Sequence, residues 1–291
     1  MIKKILKWTG IVLACIIGLL LIASAVIYVL GEQIINEKFE PQPTSFKVVS
    51  DSAMIAEGER LAKIRGCYKG CHGDQAEGKV WFEHILMGRI VTPDLTRLVS
   101  EYTDIQLENA IRQGIKPDGT SLLPMPSSMY HNLTDEDLSA IIAFLRSLPK
   151  AEGYEGEVSL NLLPRIFLLN GEFKSGVQSI KELPVKMDAP DPENAFELGK
   201  YLVYTSCTEC HMDDLKGGNL GDMEVPSLVV MGAAYNAENL TTFFREGKGI
   251  GNRNIEGMKE VIEVRFSNFT DREIHAISSF ITKLHTMEEY K

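Results

Sequence analysis

One stretch of this chain occurs twice. Leu133-Thr134-Asp135-Glu136-Asp137-Leu138, continuing to Phe144, matches Phe269-Thr270-Asp271-Arg272-Glu273-Ile274, continuing to Phe280, 136 residues later. A cysteine pair with a histidine directly after it precedes each copy. These are Cys67, Cys71 and His72, then Cys207, Cys210 and His211, with the histidines 139 residues apart. Gly58-Glu59-Arg60-Leu61 ahead of the first cluster is echoed by Leu198-Gly199-Lys200-Tyr201 ahead of the second. A duplication of this kind restricts the chain to two copies of one small unit, and 291 residues accommodate two domains of about 100 residues.

Both copies predict the same order of elements. A short helix, about 53–65 and 192–204, leads into the cysteines, and a long irregular segment follows. A helix over 135–148 or 271–284 closes the unit. Thr134 and Thr270 are N-cap candidates, with Asp137 and Glu273 at the capping-box position. Leu138, Ile141, Ile142 and Leu145 recur at helical spacing, as do Ile274, Ile277, Phe280, Ile281 and Leu284. The fold class expected is therefore all-α.

The spacing of the cysteines carries the chemistry. Cys207-Thr208-Glu209-Cys210-His211 is C-x-x-C-H, the pattern of covalent c-type haem attachment. Two thiols add to the two vinyl groups of one haem, and the adjacent histidine reaches its iron. A zinc site would want a second ligand pair, and no cysteine follows Cys210. Cys67-Tyr68-Lys69-Gly70-Cys71-His72 has one residue more between the thiols. It is read as a second haem site, with a Cys67–Cys71 disulfide as the competing reading. Gly70 is expected to absorb the extra backbone through a positive φ.

An electron-carrying iron needs a further axial ligand, and a methionine raises its potential relative to a second histidine. Met125, stiffened between Pro124 and Pro126, is the candidate in the first unit, with Met129 and His84 as competitors. Met258 stands in the equivalent place in the second. Met212, Met223 and Met231 read as packing or surface residues, His275 and His285 as solvated, and His131 as a possible cap. The expected cofactors are two haem c groups, their iron held by His72 with Met125 and His211 with Met258.

Residues 8–30 carry no charge and are preceded by Lys3, Lys4 and Lys7. A helix of that length spans about 34 Å, enough for a bilayer core. The lysines mark the cytoplasmic end, so the rest of the chain is expected on the other side. A cleaved signal peptide is the competitor, because Ala23-Ser24-Ala25 is a small-residue stretch. Cys15 reads as a small apolar residue of the same helix. The chain then divides into stub and anchor (1–31), a mobile tether (32–50), a first unit (51–150), a linker packing on both units (151–190) and a second unit (191–291). Pro164, Pro184, Pro190 and Pro192 punctuate the linker region.

With 40 acidic and 30 basic side chains the net charge is -10, which excludes a nucleic-acid binder relying on a basic face. The glycines of the second unit, among them Gly217, Gly218 and Gly221, make no phosphate-binding pattern, which disfavours a nucleotide.

These motifs resemble the membrane-anchored dihaem class I cytochromes c of bacteria, which include cytochrome subunits of periplasmic dehydrogenases. The likeness rests on Gly114-Ile115-Lys116-Pro117-Asp118-Gly119, Leu122-Leu123-Pro124-Met125-Pro126 and the 133–138 segment. Pro93-Asp94-Leu95-Thr96 resembles the family's proline-asparagine-leucine-threonine loop, with Asp94 in place of the asparagine. In the second unit it rests on Gly199-Lys200-Tyr201-Leu202-Val203, Gly257-Met258, Arg265-Phe266 and Thr270-Asp271. The resemblance implies two tandem all-helical class I domains, no substrate chemistry, and electron relay at a bacterial cell membrane, facing the periplasm or exterior. The partners implied are a respiratory donor and acceptor, as a membrane complex. A dihaem peroxidase with one open iron, and a fixed relay subunit of a larger complex, are the alternatives.

Overall fold

A computed structural model of the protein describes residues 2–183, 187–220 and 223–290; Pro184 and Gly221 lie outside these. The chain is mostly helical and opens with one long helix, Ile2–Ile35. Among the described residues it is the one helix long and apolar enough to cross a membrane.

The duplicated units each rest on a pair of crossed helices. In the first, Ser52–Ile64 packs on Asp135–Ser147. In the second, Ala195–Tyr204 packs on Asp271–Ile281. The leading helices are capped by Asp51 and Asn194, whose side chains accept backbone N–H bonds of the first turn. Thr134 and Thr270 cap the closing helices. At Thr270 the capping box is complete, whereas Asp137 is engaged elsewhere, accepting from Tyr201 Oη of the second unit at 2.5 Å.

The crossings are close because each leading helix presents a glycine. A Cβ on Gly58 would stand 1.9 Å from the Ala140 carbonyl oxygen, and one on Gly199 would stand 2.0 Å from that of Ala276. Phe144 and Phe280 occupy the same place beside them, one turn further along. Each unit then builds its own core. The first gathers Leu61, Val99, Leu107, Met129, Leu138 and Ile142. The second gathers Leu202, Leu240, Phe243, Phe266, Ile277 and Phe280.

The expectation of an all-α fold needs correction. Three antiparallel strands, β1 (Lys79–His84), β2 (Gly88–Thr92) and β3 (Glu157–Leu160), form a sheet in the order β1-β2-β3. Two minor ribbons lie in the second unit. The cause is local: Val80, Trp81, Phe82, Ile90 and Val91 favour extended backbone, and β3 then supplies a third strand from the linker.

The linker packs chiefly on the anchor and the first unit, and its Lys174 and Glu182 also lie near Asp213 of the second unit. Beyond β3, its helix Leu162–Asn170 packs on the long N-terminal helix, and helix Gly176–Lys181 packs on helices Ser127–His131 and Asp104–Gln113 of the first unit. Leu160 and Leu168 share a small apolar cluster with Ile34, Ile35 and Leu123, which covers these two leucines close to the anchor.

The segment read as a mobile tether is strapped to the first unit. Phe39 N–H donates to Gly119 O at 2.9 Å, Phe46 is buried in the first core, and Val49 N–H donates to Ser139 Oγ at 2.7 Å. Asp104 holds the strap by accepting from Val48 N–H at 2.9 Å while paired with Arg146 at 2.6 Å. Partial burial works against its charge, but the Val48 N–H and the Arg146 guanidinium outweigh it and hold the pKa below the usual aspartate value. A carboxylate of this kind stabilises above its unfolded pKa of about 3.9, and the contribution is lost as pH falls through the lower folded value. Amide exchange at Val48 should therefore accelerate, relative to the core, only under strongly acid conditions. Asp104→Asn should raise it at neutral pH and remove the acid step.

Candidate functional site

Each cysteine pair sits at the end of its leading helix, where the chain turns back. In the second unit the turn is a helical one, Thr208–His211, with His211 N–H donating to Cys207 O at 3.0 Å. The first unit has to place one more residue. There Cys71 N–H closes on Gly66 O at 2.9 Å. Lys69, and not Gly70, takes the left-handed conformation, with φ 57°. Gly70 is required for a different reason: a Cβ there would stand 2.6 Å from the Gly66 carbonyl oxygen. The expected positive φ at Gly70 is thus replaced by close backbone approach.

The loops after the two histidines share one conformation. Ala76 and Gly78 have φ of 62° and 77°, and their counterparts Leu215 and Gly217 have 60° and 71°. Gly78 N–H donates to His72 O at 2.7 Å, and Gly217 N–H to His211 O at 3.1 Å. These loops carry a proline carbonyl to each imidazole. His72 Nδ1 lies 3.0 Å from Pro93 O, and His211 Nδ1 lies 2.8 Å from Pro226 O. A carbonyl only accepts, so Nδ1 carries the proton and Nε2 keeps its lone pair. Burial lowers both imidazole pKa values, against the opposing pull of the carbonyls, and keeps the rings neutral. Each ring is thereby oriented and left with one basic nitrogen, the arrangement of a metal-ligating histidine.

Pro226 was not singled out from the sequence. Its signal was the preceding one: Pro93-Asp94-Leu95 caps helix Leu95–Glu101 as Pro226-Ser227-Leu228 caps helix Leu228–Ala234.

All five cysteines are free thiols, and no disulfide joins Cys67 to Cys71. Burial pushes the Cys67 and Cys207 thiols up to about 12, so both are protonated at neutral pH. Cys71 and Cys210 are raised by burial as well.

The candidate methionines are held differently. Met125 lies just ahead of helix Ser127–His131, half-buried against the first core together with Cys67 and Tyr68. Met258 lies in helix Glu256–Val264 and packs half-buried against the second core, which contains Cys207. Met223 also comes close, with Sδ 3.3 Å from the place of a Gly257 Cβ; nothing in sequence spacing marks it. Of the competitors, Met129 is core filling at 1% exposure, and His84 stands on the exposed strand β1. His275 and His285 are exposed, and His131 Nδ1 bonds to Arg112 O at 2.8 Å.

The two attachment segments face each other across the unit boundary. Arg65, two residues before Cys67, donates from Nη1 to Ser206 Oγ, the neighbour of Cys207, at 2.6 Å. Arg265 of the second unit reciprocates, donating from Nε to Ile64 O at 2.8 Å. Its Nη1 donates to Glu209, inside the second cysteine motif, also at 2.8 Å. Burial opposes the Arg265 charge, but Glu209 beside it keeps the pKa raised. Arg60 pairs with Glu273 at 2.7 Å and donates to Asn268 O, further along the same boundary.

The groups gathered here fit haem c. Four reduced thiols and two imidazoles with free Nε2 lone pairs match its attachment and axial chemistry. Arg65 Nε and Arg265 Nη2 are buried without a hydrogen-bond partner, and Arg65 Nη2 has only the longer ion pair with Asp137 at 3.7 Å. An orphaned buried donor costs about 1–3 kcal/mol, and the carboxylates of a haem are anions that would relieve it.

Comparison with known proteins adds an independent line. The profile of the family described as cytochrome c matches residues 55–149 and 196–285, more than half of the chain. The cytochrome c subunit of a quinone-type alcohol dehydrogenase from Komagataeibacter europaeus is 25% identical over 270 residues, covering 81% of this chain and 57% of that protein. The fructose dehydrogenase cytochrome subunit of Gluconobacter japonicus is 25% identical over 295 residues, covering 91% and 59%. The gluconate 2-dehydrogenase cytochrome c subunit of Pantoea cypripedii is 24% identical over 287 residues, covering 82% and 62%. The chain thus spans less than two thirds of the length of these relatives.

Proposed function

This chain belongs to the cytochrome c family, and on that premise we propose that it is a membrane-anchored dihaem electron carrier serving a respiratory dehydrogenase. Cys67 and Cys71 would hold one haem, and Cys207 and Cys210 the other. His72 with Met125, and His211 with Met258, would complete the two irons. Bound haem would supply a reversible one-electron iron couple.

The observation that carries this reading is the repeated histidine geometry, His72 on Pro93 O and His211 on Pro226 O. The carbonyls hold each ring in one tautomer and one orientation, so that Nε2 is presented without rearrangement. Burial keeps the imidazoles neutral and therefore basic at Nε2. Arg65 and Arg265 stand between the two sites, their charges balanced by Asp137 at 3.7 Å and Glu209 at 2.8 Å. The relatives named as cytochrome subunits of dehydrogenases support a carrier role without substrate chemistry of its own. Lys3, Lys4 and Lys7 support a haem-bearing body outside the cytoplasm, where haem attachment of this kind is done.

The denatured chain should have an intact mass above that of the polypeptide by two haem groups, roughly 1.2 kDa, because thioether attachment survives unfolding. An excess of one haem, with Cys67 and Cys71 alkylatable, would remove the first site from the proposal.

A further inference from the structure

The sheet and the linker helix leave an apolar surface that neither core uses. On helix Leu162–Asn170, Leu162, Ile166 and Leu169 are more than a third exposed and fall on one face, at helical spacing. The opposite face is buried through Pro164, Arg165 and Leu168. At the tip of the β1–β2 hairpin, Ile85 is 86% exposed and Leu86 61%. Phe82 and Val158, 38% and 40% exposed, flank the buried Ile90 across the three strands, and Trp81 is 46% exposed. The hairpin tip and the helix are neighbours: Asn161, the cap of the helix, donates from Nδ2 to Ile85 O at 2.9 Å and from its backbone N–H to Met87 O at 3.2 Å.

What sets the level of this surface is the anchor. Arg165 is 4% exposed and reaches the last turns of the long N-terminal helix. Its Nη2 pairs with Glu32 at 2.7 Å, its Nη1 donates to Tyr28 O at 3.2 Å, and its Cζ lies 3.9 Å from the centre of the Tyr28 ring. A Cβ on Gly31 would stand 2.9 Å from Arg165 Cβ, so the helices touch there at the backbone. The uncharged run gives way to charge at Glu32. Tyr28 and the Arg165–Glu32 pair are therefore groups for the boundary between hydrocarbon and headgroups. The linker helix is clamped at that depth, and the hairpin tip is fixed to its start.

We propose that the hairpin tip (Ile85, Leu86) and the outer face of helix Leu162–Asn170 form a second membrane contact, seated in the lipid interface beside the anchor. The occupant of this face is lipid, because the surface continues the exposed apolar side of the anchor, where Val29 and Leu30 are 55% and 42% exposed. An apolar surface held at the interface by an adjoining span gains by entering it, with no search or ordering cost left. The contact would add a second point of attachment to the bilayer for the first unit, already strapped to the anchor through residues 32–50 and Arg165. The proposal rests on reading Ile2–Ile35 as a retained anchor.

The test uses the full holoprotein alone, in nanodiscs of phosphatidylcholine doped with an acyl-chain diazirine lipid. Crosslinks are mapped by peptide mass spectrometry. Adducts are expected in the anchor, at Ile85–Leu86 and on Leu162, Ile166 or Leu169. The double variant Ile85→Asp/Leu86→Asp should lose the hairpin adducts while the anchor adducts persist. Adducts confined to the anchor would overturn the second contact and leave the anchor standing, as expected if a protein partner covers the face. Absence of adducts in residues 8–30 would overturn the anchor reading itself, and this proposal with it.

Discussion

Gly58→Ala and Gly199→Ala will each destabilise their own unit by about 3 kcal/mol, against an intrinsic preference of the opposite sign. Alanine is the better helix former, and propensity alone would stabilise the exchange by about 1 kcal/mol. The crossing reverses that sign. The added methyl carbon would fall 1.9 Å from Ala140 O in the first unit and 2.0 Å from Ala276 O in the second, with Phe144 Cβ and Phe280 Cβ at 2.8 and 3.0 Å. The obstructing atoms are closing-helix backbone, which moves only with the whole helix. Overpacking of a closed interface costs typically about 1–3 kcal/mol and at backbone contacts more, a large part of a domain's stability of about 5–15 kcal/mol. Urea unfolding, followed by circular dichroism and by the absorption of each haem, should show a lower midpoint for the substituted unit. A midpoint unchanged or raised in both variants would mean that the helix pairs separate at little cost and do not organise the units.

Met125→Ala and Met258→Ala will each lower the reduction potential of one haem and open its iron to carbon monoxide or cyanide. Thioether sulfur is a soft ligand that favours the reduced iron, and its removal leaves either water or an open position. The near-infrared sulfur-to-iron absorption of the oxidised protein should fall by half in each single variant and vanish in the double one. Met223 supplies the discriminating control, since its sulfur lies beside Gly257. Met223→Ala should leave the band intact; if that substitution removes it and Met258→Ala does not, the ligand of the second site is Met223. A native oxidised protein with one high-spin iron that reacts with peroxide would replace the carrier by the peroxidase alternative.

The local features were legible in the sequence because local rules produce them. Thr134 and Thr270 accept the N–H groups that a helix start leaves over, so these caps mark the starts of the closing helices, while the caps of the leading helices, Asp51 and Asn194, emerge only in the structure. The β1–β2 hairpin is locally encoded by its β-forming residues, whereas β3 comes from a linker of mixed pattern and its pairing with β2 is a contact between distant segments. Gly70 was assigned the positive φ because glycine takes it most readily. Lys69 takes it instead, since Gly70 has to pass the Gly66 backbone. The 32–50 segment looked like a tether because it lacks periodicity, yet side chains remote in sequence, Asp104 and Ser139, accept its N–H groups.

By itself the sequence determined the duplication, the apolar helix, the cysteine and histidine positions and the capped closing helices, all of which follow from spacing within one turn or one motif. Tertiary structure alone decided which groups complete the sites. The Pro93 and Pro226 carbonyls choose the tautomer of each histidine. Arg65 and Arg265 cross the unit boundary to the opposite attachment segment. Asp137 leaves its capping box for Tyr201. These partners are separated along the chain by 15 residues in the nearest case and 201 in the farthest. No periodicity of helix or strand links positions so far apart; loop packing within each unit sets the histidine partners, and the packing of one unit on the other brings together the rest.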